Sequence, residues 1–330
     1  MTVFLCKAGR VALVLLACLV LVWVWLAVTF HASGGMGIAL RAGVLTLGLG
    51  LIWAVWRHRW GLLAGVTAGV ISVAALWWGA QVPLGLRDWD ADVAFGVTGV
   101  QDGNLVTLRN VRNFRWKDAD TASESWETRV VDIDRIVSVD MLTSVWSSPL
   151  IAHVLVSFGF ADGQHIVFSG EIRREKGEVY SALGGFFRRY ELVLIAADER
   201  DIVHLRTDER GEEVSLFPVM LDAEARKALF LSFVNYGNAL DAEPQWYHTI
   251  IANCTTVPYR LVKGIAPDLA MDWRVLASGQ LPEFLHDLGV LRPDMTMEDV
   301  RARARLPVAG RNAPEGADYS RDLRRAWVTP

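Results

Sequence analysis

Residues 151–173 read IAHVLVSFGFADGQHIVFSGEIR. Two alternating apolar runs are joined around Asp162-Gly163, a dipeptide that accepts the left-handed backbone of a tight hairpin turn. Val154, Val156, Phe158 and Phe160 share one face of the first run; Ile166, Phe168, Gly170 and Ile172 share one face of the second. The other face carries His153, Leu155 and Ser157, then His165, Val167, Ser169, Glu171 and Arg173. Strand side chains alternate with a period of two, so apolar faces stay together only if paired residue numbers have an even sum. A loop of Ala161 to Gly163 sets His153 opposite Glu171, and a slip by two sets it opposite Arg173. In either register His153, Ser169 and Glu171 line one surface within reach of one another.

Further along, residues 244–258 read PQWYHTIIANCTTVP. Asn253 is a good helix N-cap, which predicts a helix from Asn253 to Ile265 with Cys254 at its first position. Amide groups and the helix dipole at that position stabilise a thiolate, and the same N–H groups can form an oxyanion hole. A thiol nucleophile needs a base, and the base needs an orienting partner. The hairpin supplies both as His153 and Glu171, with Ser169 as the alternative orienter and His248 as a rival base. Each residue also has a plainer reading. Cys254 is then a buried core thiol, His153 a surface-strand histidine and Glu171 the partner of an arginine. His165, His204 and His286 read as surface or loop residues.

Toward the N-terminus the chain changes character. Of 330 residues 52% are hydrophobic, mean hydropathy is +0.26, and the excess precedes Pro83. Val11 to Phe30 and Gly61 to Ala80 are uncharged, and Gly37 to Trp56 carries only Arg41. Each run matches the roughly 20 residues that cross a hydrocarbon core. Lys7 and Arg10 precede the first run, Arg57 and Arg59 separate the second from the third, and the intervening loop has no basic residue. The bias places the N-terminus and the Arg57 loop in the cytoplasm, and residues from about 82 onward in the periplasm of a bacterial inner membrane. Trp53, Trp56, Trp60, Trp77 and Trp78 cluster near the expected ends, and Gly65 and Gly69 mark a face for helix packing. The first run is long for a signal peptide, and it continues past Leu15-Leu16-Ala17-Cys18, which argues against a lipoprotein cleavage site there.

Residues 1–82 therefore read as a membrane anchor, 83–306 as a globular α+β domain and 307–330 as a loosely ordered tail. Strands are expected near 95–115 with a turn at Asp102-Gly103-Asn104, in 128–142, and at Tyr190–Ala196, Asp201–Leu205 and Val214–Val219. Helices are expected from Asp222 to Leu240 and from Leu281 to Leu288. The turn from Gly184 to Tyr190, rich in Phe and Arg, either packs its aromatics inward as a hairpin or touches lipid headgroups. A net charge of −4 with no basic stripe argues against nucleic acid as a partner. Of the three cysteines only Cys254 lies in the globular domain, so it has no disulfide partner there. The absence of HExxH, CxxC and Gly-Lys-Ser/Thr motifs gives no support to a metal or nucleotide cofactor.

Several of these stretches together resemble the Lnb N-terminal periplasmic domain family. They are Ile151–Phe160, Ser169–Glu175, Tyr190–Leu192, Asp198–Asp201, Leu205–Thr207 and Asn253–Thr256, with Asn110–Phe114 similar to an upstream motif. The resemblance implies a papain-like cysteine fold in permuted order, similar to permuted NlpC-type enzymes, with an antiparallel sheet packed on helices. It further implies a Cys254 acyl-thioester. A membrane lipid is then the acyl donor, and the amino terminus of a bacterial lipoprotein the acceptor. Where the family pattern has Trp-Tyr-Asn, this chain has Trp246-Tyr247-His248. It also shows no long C-terminal membrane segment, which suggests a shorter branch with another acceptor. A cell-envelope peptidase or amidase would use the same intermediate with water as acceptor, and a binding module would use none.

Overall fold

The computed structural model describes residues 2–308 and 316–328, with side chains from Lys7 onward; the side chain of Cys6, and residues 309–315 and 329–330 of the expected tail, lie outside it. The chain divides into two compact units, Met1–Pro83 with Ser181–Arg189, and Leu84–Tyr180 with Tyr190–Pro330.

The first unit is built on α1 (Thr2–His31), α2 (Gly34–Trp56) and α3 (Trp60–Gly79). All three are long and apolar enough to cross a membrane. Ala17, Leu51 and Leu63 form its small interior, while Leu15, Leu19, Leu49, Ile52 and Leu76 are exposed. An apolar exterior around fully hydrogen-bonded helices is what hydrocarbon surroundings require. Arg10 lies over the Trp60 ring at 5.0 Å, joining the two basic segments at one end. At the other end Ser181–Arg189 is folded onto the helices through a 3-10 turn, Gly184–Phe187. Phe187 stacks on Phe30 and its carbonyl accepts from His31 Nε2. Arg188 donates to the carbonyls of Trp78 and Gln81 and covers the Trp78 ring at 4.3 Å. The expected hairpin is thus replaced by a turn that belongs with the membrane helices. The expected packing through Gly65 and Gly69 is absent, because a side chain at either would meet nothing within 4 Å.

The second unit is a mixed α+β domain. Its strands are β1 (Thr98–Asp102), β2 (Leu105–Arg112), β3 (Arg115–Trp116), β4 (Ala122–Ser123), β5 (Trp126–Asp132), β6 (Ile136–Val145), β7 (His153–Phe160), β8 (His165–Arg173), β9 (Glu191–Asp198), β10 (Glu213–Val219) and β11 (Gln245–Trp246). Its helices are α4 (Glu199–His204), α5 (Ala223–Ala242), α6 (Thr256–Ile265), α7 (Leu281–Asp287), α8 (Met297–Ala304), α9 (Gly316–Leu323) and α10 (Arg325–Val328). The main sheet runs β1-β2-β9-β8-β7-β6-β10, with β5 on β2 and β11 on β9. It is antiparallel apart from the short β2–β9 contact. β3 and β4 form a separate hairpin.

Both faces of the central strands are covered. Val156, Phe158, Ile166 and Phe168 pack on Phe230 and Phe233 of α5. Leu155, Val167 and Ile195 pack on Ile202 and Val203 of α4 and on Tyr319 and Leu323 of α9. Asp222 caps α5 as its sequence predicts, accepting from Ala225 N at 2.7 Å.

Two expectations fail in this unit. Asp201–Leu205 is helical, not extended: Asp198 caps it, and Asp201 is buried against Arg112, Phe114 N and the Trp116 indole. Five residues with Ile202, Val203 and Leu205 fit either period, so tertiary contacts decide. The expected loose tail is helical over 316–328. Arg324 reaches buried Asp140 at 2.6 Å and buried Glu199 at 2.6 Å, and Ser157 donates to the same Glu199.

Burial raises the Glu199 pKa, but Arg324, with His165 and Ser157, outweighs it and holds the carboxyl at about 2. A depressed carboxyl pKa stabilises the fold above the unfolded value of 4.5 and loses that contribution as pH falls toward 2. Arg324→Leu leaves two buried carboxylates without their cation and is expected to destabilise the protein by about 3–5 kcal/mol. The readout is the urea midpoint of the full chain in detergent. An unchanged midpoint contradicts the assigned pairing.

Candidate active site

The β7–β8 register is the one the hairpin sequence predicts. Val156 faces Phe168 and Gly159 faces His165, a constant sum of 324. Extended by three residues, the same register sets His153 against Glu171, and His153 Nε2 lies 3.1 Å from Glu171 Oε1. Backbone pairing, however, stops at Val156–Phe168. Beyond it β7 continues only with β6 and β8 only with β9, so the two central strands part.

The cysteine turn packs beside these parted strands. The backbone of Asn253–Cys254 lies against Gly170, 3.6 Å from where a side chain there would begin. Asn253 shapes this approach. Its Oδ1 accepts from Thr255 N and Thr256 N, both at 2.9 Å, and its Nδ2 donates to Thr249 O. The expected helix start is shifted: α6 begins at Thr256 with Thr255 at its N-cap, so Cys254 is not the first helical residue but sits in the turn that Asn253 closes. One expectation changes as a result. The Thr255 and Thr256 amides are occupied by Asn253 and are not free for an oxyanion, whereas the Cys254 N–H has no acceptor among the described hydrogen bonds.

His153 bridges the sulfur to a buried polar network. Its Nε2 bonds Ser169 Oγ at 2.7 Å as well as Glu171, which leaves Nδ1 as the ring atom for the thiol. Ser169 donates to Glu171 Oε1 at 2.7 Å, so Ser169 and Glu171 hold the ring together rather than as alternatives. Arg206 Nη2 donates to the same Glu171 oxygen at 2.8 Å. Glu171 thus both orients the histidine and pairs with an arginine, which comes from the segment after α4 and not from a neighbouring strand.

The electrostatics follow from this packing. Burial alone lowers the His153 pKa, but Glu171 and Cys254 outweigh it and raise it to about 9. Burial alone raises the Cys254 pKa; the His153 charge and hydrogen bond, with Val154 N–H and Thr255, bring it down overall. Burial also pushes Glu171 up, and His153 and Arg206 hold it well below the usual carboxylate range. Both shifts run in the direction of a thiolate–imidazolium pair. Tyr247 and Tyr180 stand in the field of this sulfur, each with its hydroxyl pKa raised by burial and by the Cys254 charge.

Arg206, Tyr180 and Tyr247 received no role from sequence. Only the motif likeness at Leu205–Thr207 pointed to Arg206, and its placement depends on the Arg112–Asp201 pair that fixes α4. His248 does not act as the rival base: its Nδ1 accepts from Ile250 N and Ile251 N and closes the turn before the cysteine. An asparagine side chain closes such turns in the same way. His204 is buried between Asp208 and Glu209, not at the surface. The described residues contain no cluster suited to a metal ion.

Residues 122–279 match the family model described as the Lnb N-terminal periplasmic domain. The match includes His153, Ser169, Glu171, Arg206 and Cys254 but not Asn110–Phe114. No curated protein and no solved structure matches the chain. With three candidate membrane helices, the match describes a membrane protein of the cell envelope with a periplasmic domain.

Glu171→Gln keeps the shape but removes the charge that raises the His153 pKa. Alkylation of Cys254 by iodoacetamide at slightly acidic pH is expected to slow by about tenfold or more in this variant. A rate equal to wild type contradicts the assigned network.

Proposed function

We propose that this chain, which carries a Lnb N-terminal periplasmic domain, is an inner-membrane cysteine acyltransferase. Its N-terminus is cytoplasmic, its globular domain periplasmic, and its acceptor the amino terminus of a bacterial lipoprotein. The observation that carries this reading is the grouping of His153, Ser169 and Glu171 where the strands part, with the imidazole held by both and its charge lowering the Cys254 pKa. The β7 histidine precedes the cysteine turn in the chain, the order of a permuted papain-like site.

In the first half-reaction the Cys254 thiolate attacks the ester carbonyl of a membrane lipid. The tetrahedral oxyanion collapses with cleavage of the C–O bond, and the His153 imidazolium gives its proton to the departing alkoxide. The enzyme then carries an acyl-thioester. In the second half-reaction an amine attacks that carbonyl, neutral His153 takes the amine proton, and the C–S bond breaks to give an amide and the original thiolate–imidazolium pair. The Cys254 N–H is the donor best placed for the oxyanion. Ile250 and Ile251, both exposed in the turn before Cys254, give the site an apolar rim suited to a lipid acyl group rather than to a polar glycan.

Intact mass spectrometry after incubation with phospholipid vesicles tests the first step. The expected product is an acyl adduct, labile to hydroxylamine, on wild type and absent from Cys254→Ser. Adding a peptide with a free N-terminal diacylglyceryl-cysteine should discharge it as an amide. Release of fatty acid at the same rate without the amine contradicts transfer and supports hydrolysis; no adduct under any condition contradicts the acyl-enzyme.

The pH dependence has a defined sign. His153, raised to about 9, supplies its proton to the leaving group below that value and loses it above. Thioester formation is expected to fall as pH rises through about 9, while alkylation of the thiol, which needs no acid, does not.

A further inference from the structure

The membrane unit contains a groove of about 750 Å³ along its three helices, lined by Trp23 and Ala27 of α1, Leu40 of α2, and Val66, Gly69 and Val73 of α3. Its wall is almost wholly apolar, and it extends to His31 and Trp77 at the end where Ser181–Arg189 is folded. Gly69 borders this open space, since a Cβ there would meet nothing within 4 Å, and a large side chain at 69 would extend into the groove. Water has no polar partners along such a wall, whereas the acyl chains that surround membrane helices do fit it.

Charge indicates what accompanies the chain. Residues 1–83 and 181–189 hold Lys7, Arg10, Arg41, Arg57, Arg59, Arg188 and Arg189 but no Asp or Glu. At the His31 end, Arg188 is fixed to the α3 terminus by the Trp78 and Gln81 carbonyls. Arg41 folds back so that its Nη2 lies 3.3 Å from the point a Cβ on Gly37 would occupy, at the α1–α2 turn. No carboxylate of this unit can neutralise these cations, and a phosphodiester at headgroup depth complements them.

We propose that the groove holds one acyl chain of an anionic glycerophospholipid from the leaflet on the His31 side, with its phosphate toward Arg41 and Arg188. This site is distinct from the thiol centre and holds whether or not Cys254 carries an acyl group.

The test uses the full chain in phosphatidylglycerol nanodiscs doped with phosphatidylglycerol bearing a photoreactive acyl chain, followed by peptide mapping. Adducts are expected to concentrate on the groove segments, Trp23–Leu40 and Val66–Trp77. Gly69→Leu should lower them by about tenfold, while Ala68→Leu, which adds one carbon fewer at a position that does not line the groove, should not. Arg41→Gln should lower retention of phosphatidylglycerol relative to diacylglycerol in native mass spectra. Adducts spread evenly over the exposed faces at Leu19 and Leu49, or unchanged by Gly69→Leu, overturn the proposal and leave only annular lipid. Loss of adducts with Ala68→Leu as well as Gly69→Leu also overturns it.

Discussion

The loss of backbone pairing between β7 and β8 beyond Val156–Phe168 is the constraint on which the candidate site depends. The hairpin register still brings His153 against Glu171, and there side chains, not backbone groups, join the two strands. β7 keeps its pairing with β6 and β8 with β9 on their far edges, so both strands stay fixed in the sheet while their facing edges open. The cysteine turn packs beside them against Gly170.

Charges of opposite sign alternate behind the sulfur: His153, Glu171, then Arg206. Each is buried or half-buried, and each is tolerable only because its neighbour has the opposite sign. The alignment reaches further through α4, since Asp201, held by Arg112 and two other donors, fixes the segment that presents Arg206. A second buried network, Arg324 with Asp140 and Glu199, ties the C-terminal helices to the face of the sheet away from α5. The role of Asn253 is equally economical, because one side chain closes the cysteine turn that leads into α6.

Much of the site was legible from residues 151–173 because two independent signals agree there. The Asp162-Gly163 turn limits the loop, and the alternation of Val154 to Phe160 against Ile166 to Ile172 fixes the parity. Cys254 was legible from the asparagine before it. Arg206 was not, because the period of Asp201–Leu205 is ambiguous over five residues and a buried ion pair from β2, distant in sequence, makes it helical. The ordered C-terminal segment was hidden for a related reason. Its composition is polar, and its attachment depends on Tyr319, Leu323 and Arg324, which look like solvent-facing residues until the sheet that receives them is known. Glycines in α3 carry the converse lesson: Gly69 reads as a packing residue, yet it faces open space.

The ionisation of the Cys254 sulfur is read from thiolate absorbance near 240 nm in the wild-type protein minus that of Cys254→Ser as pH rises. Half-ionisation is expected below the ordinary thiol value of 9.0, moving upward when His153 is replaced by alanine. A thiol that ionises only at or above 9.0, and is indifferent to His153, would contradict that expectation.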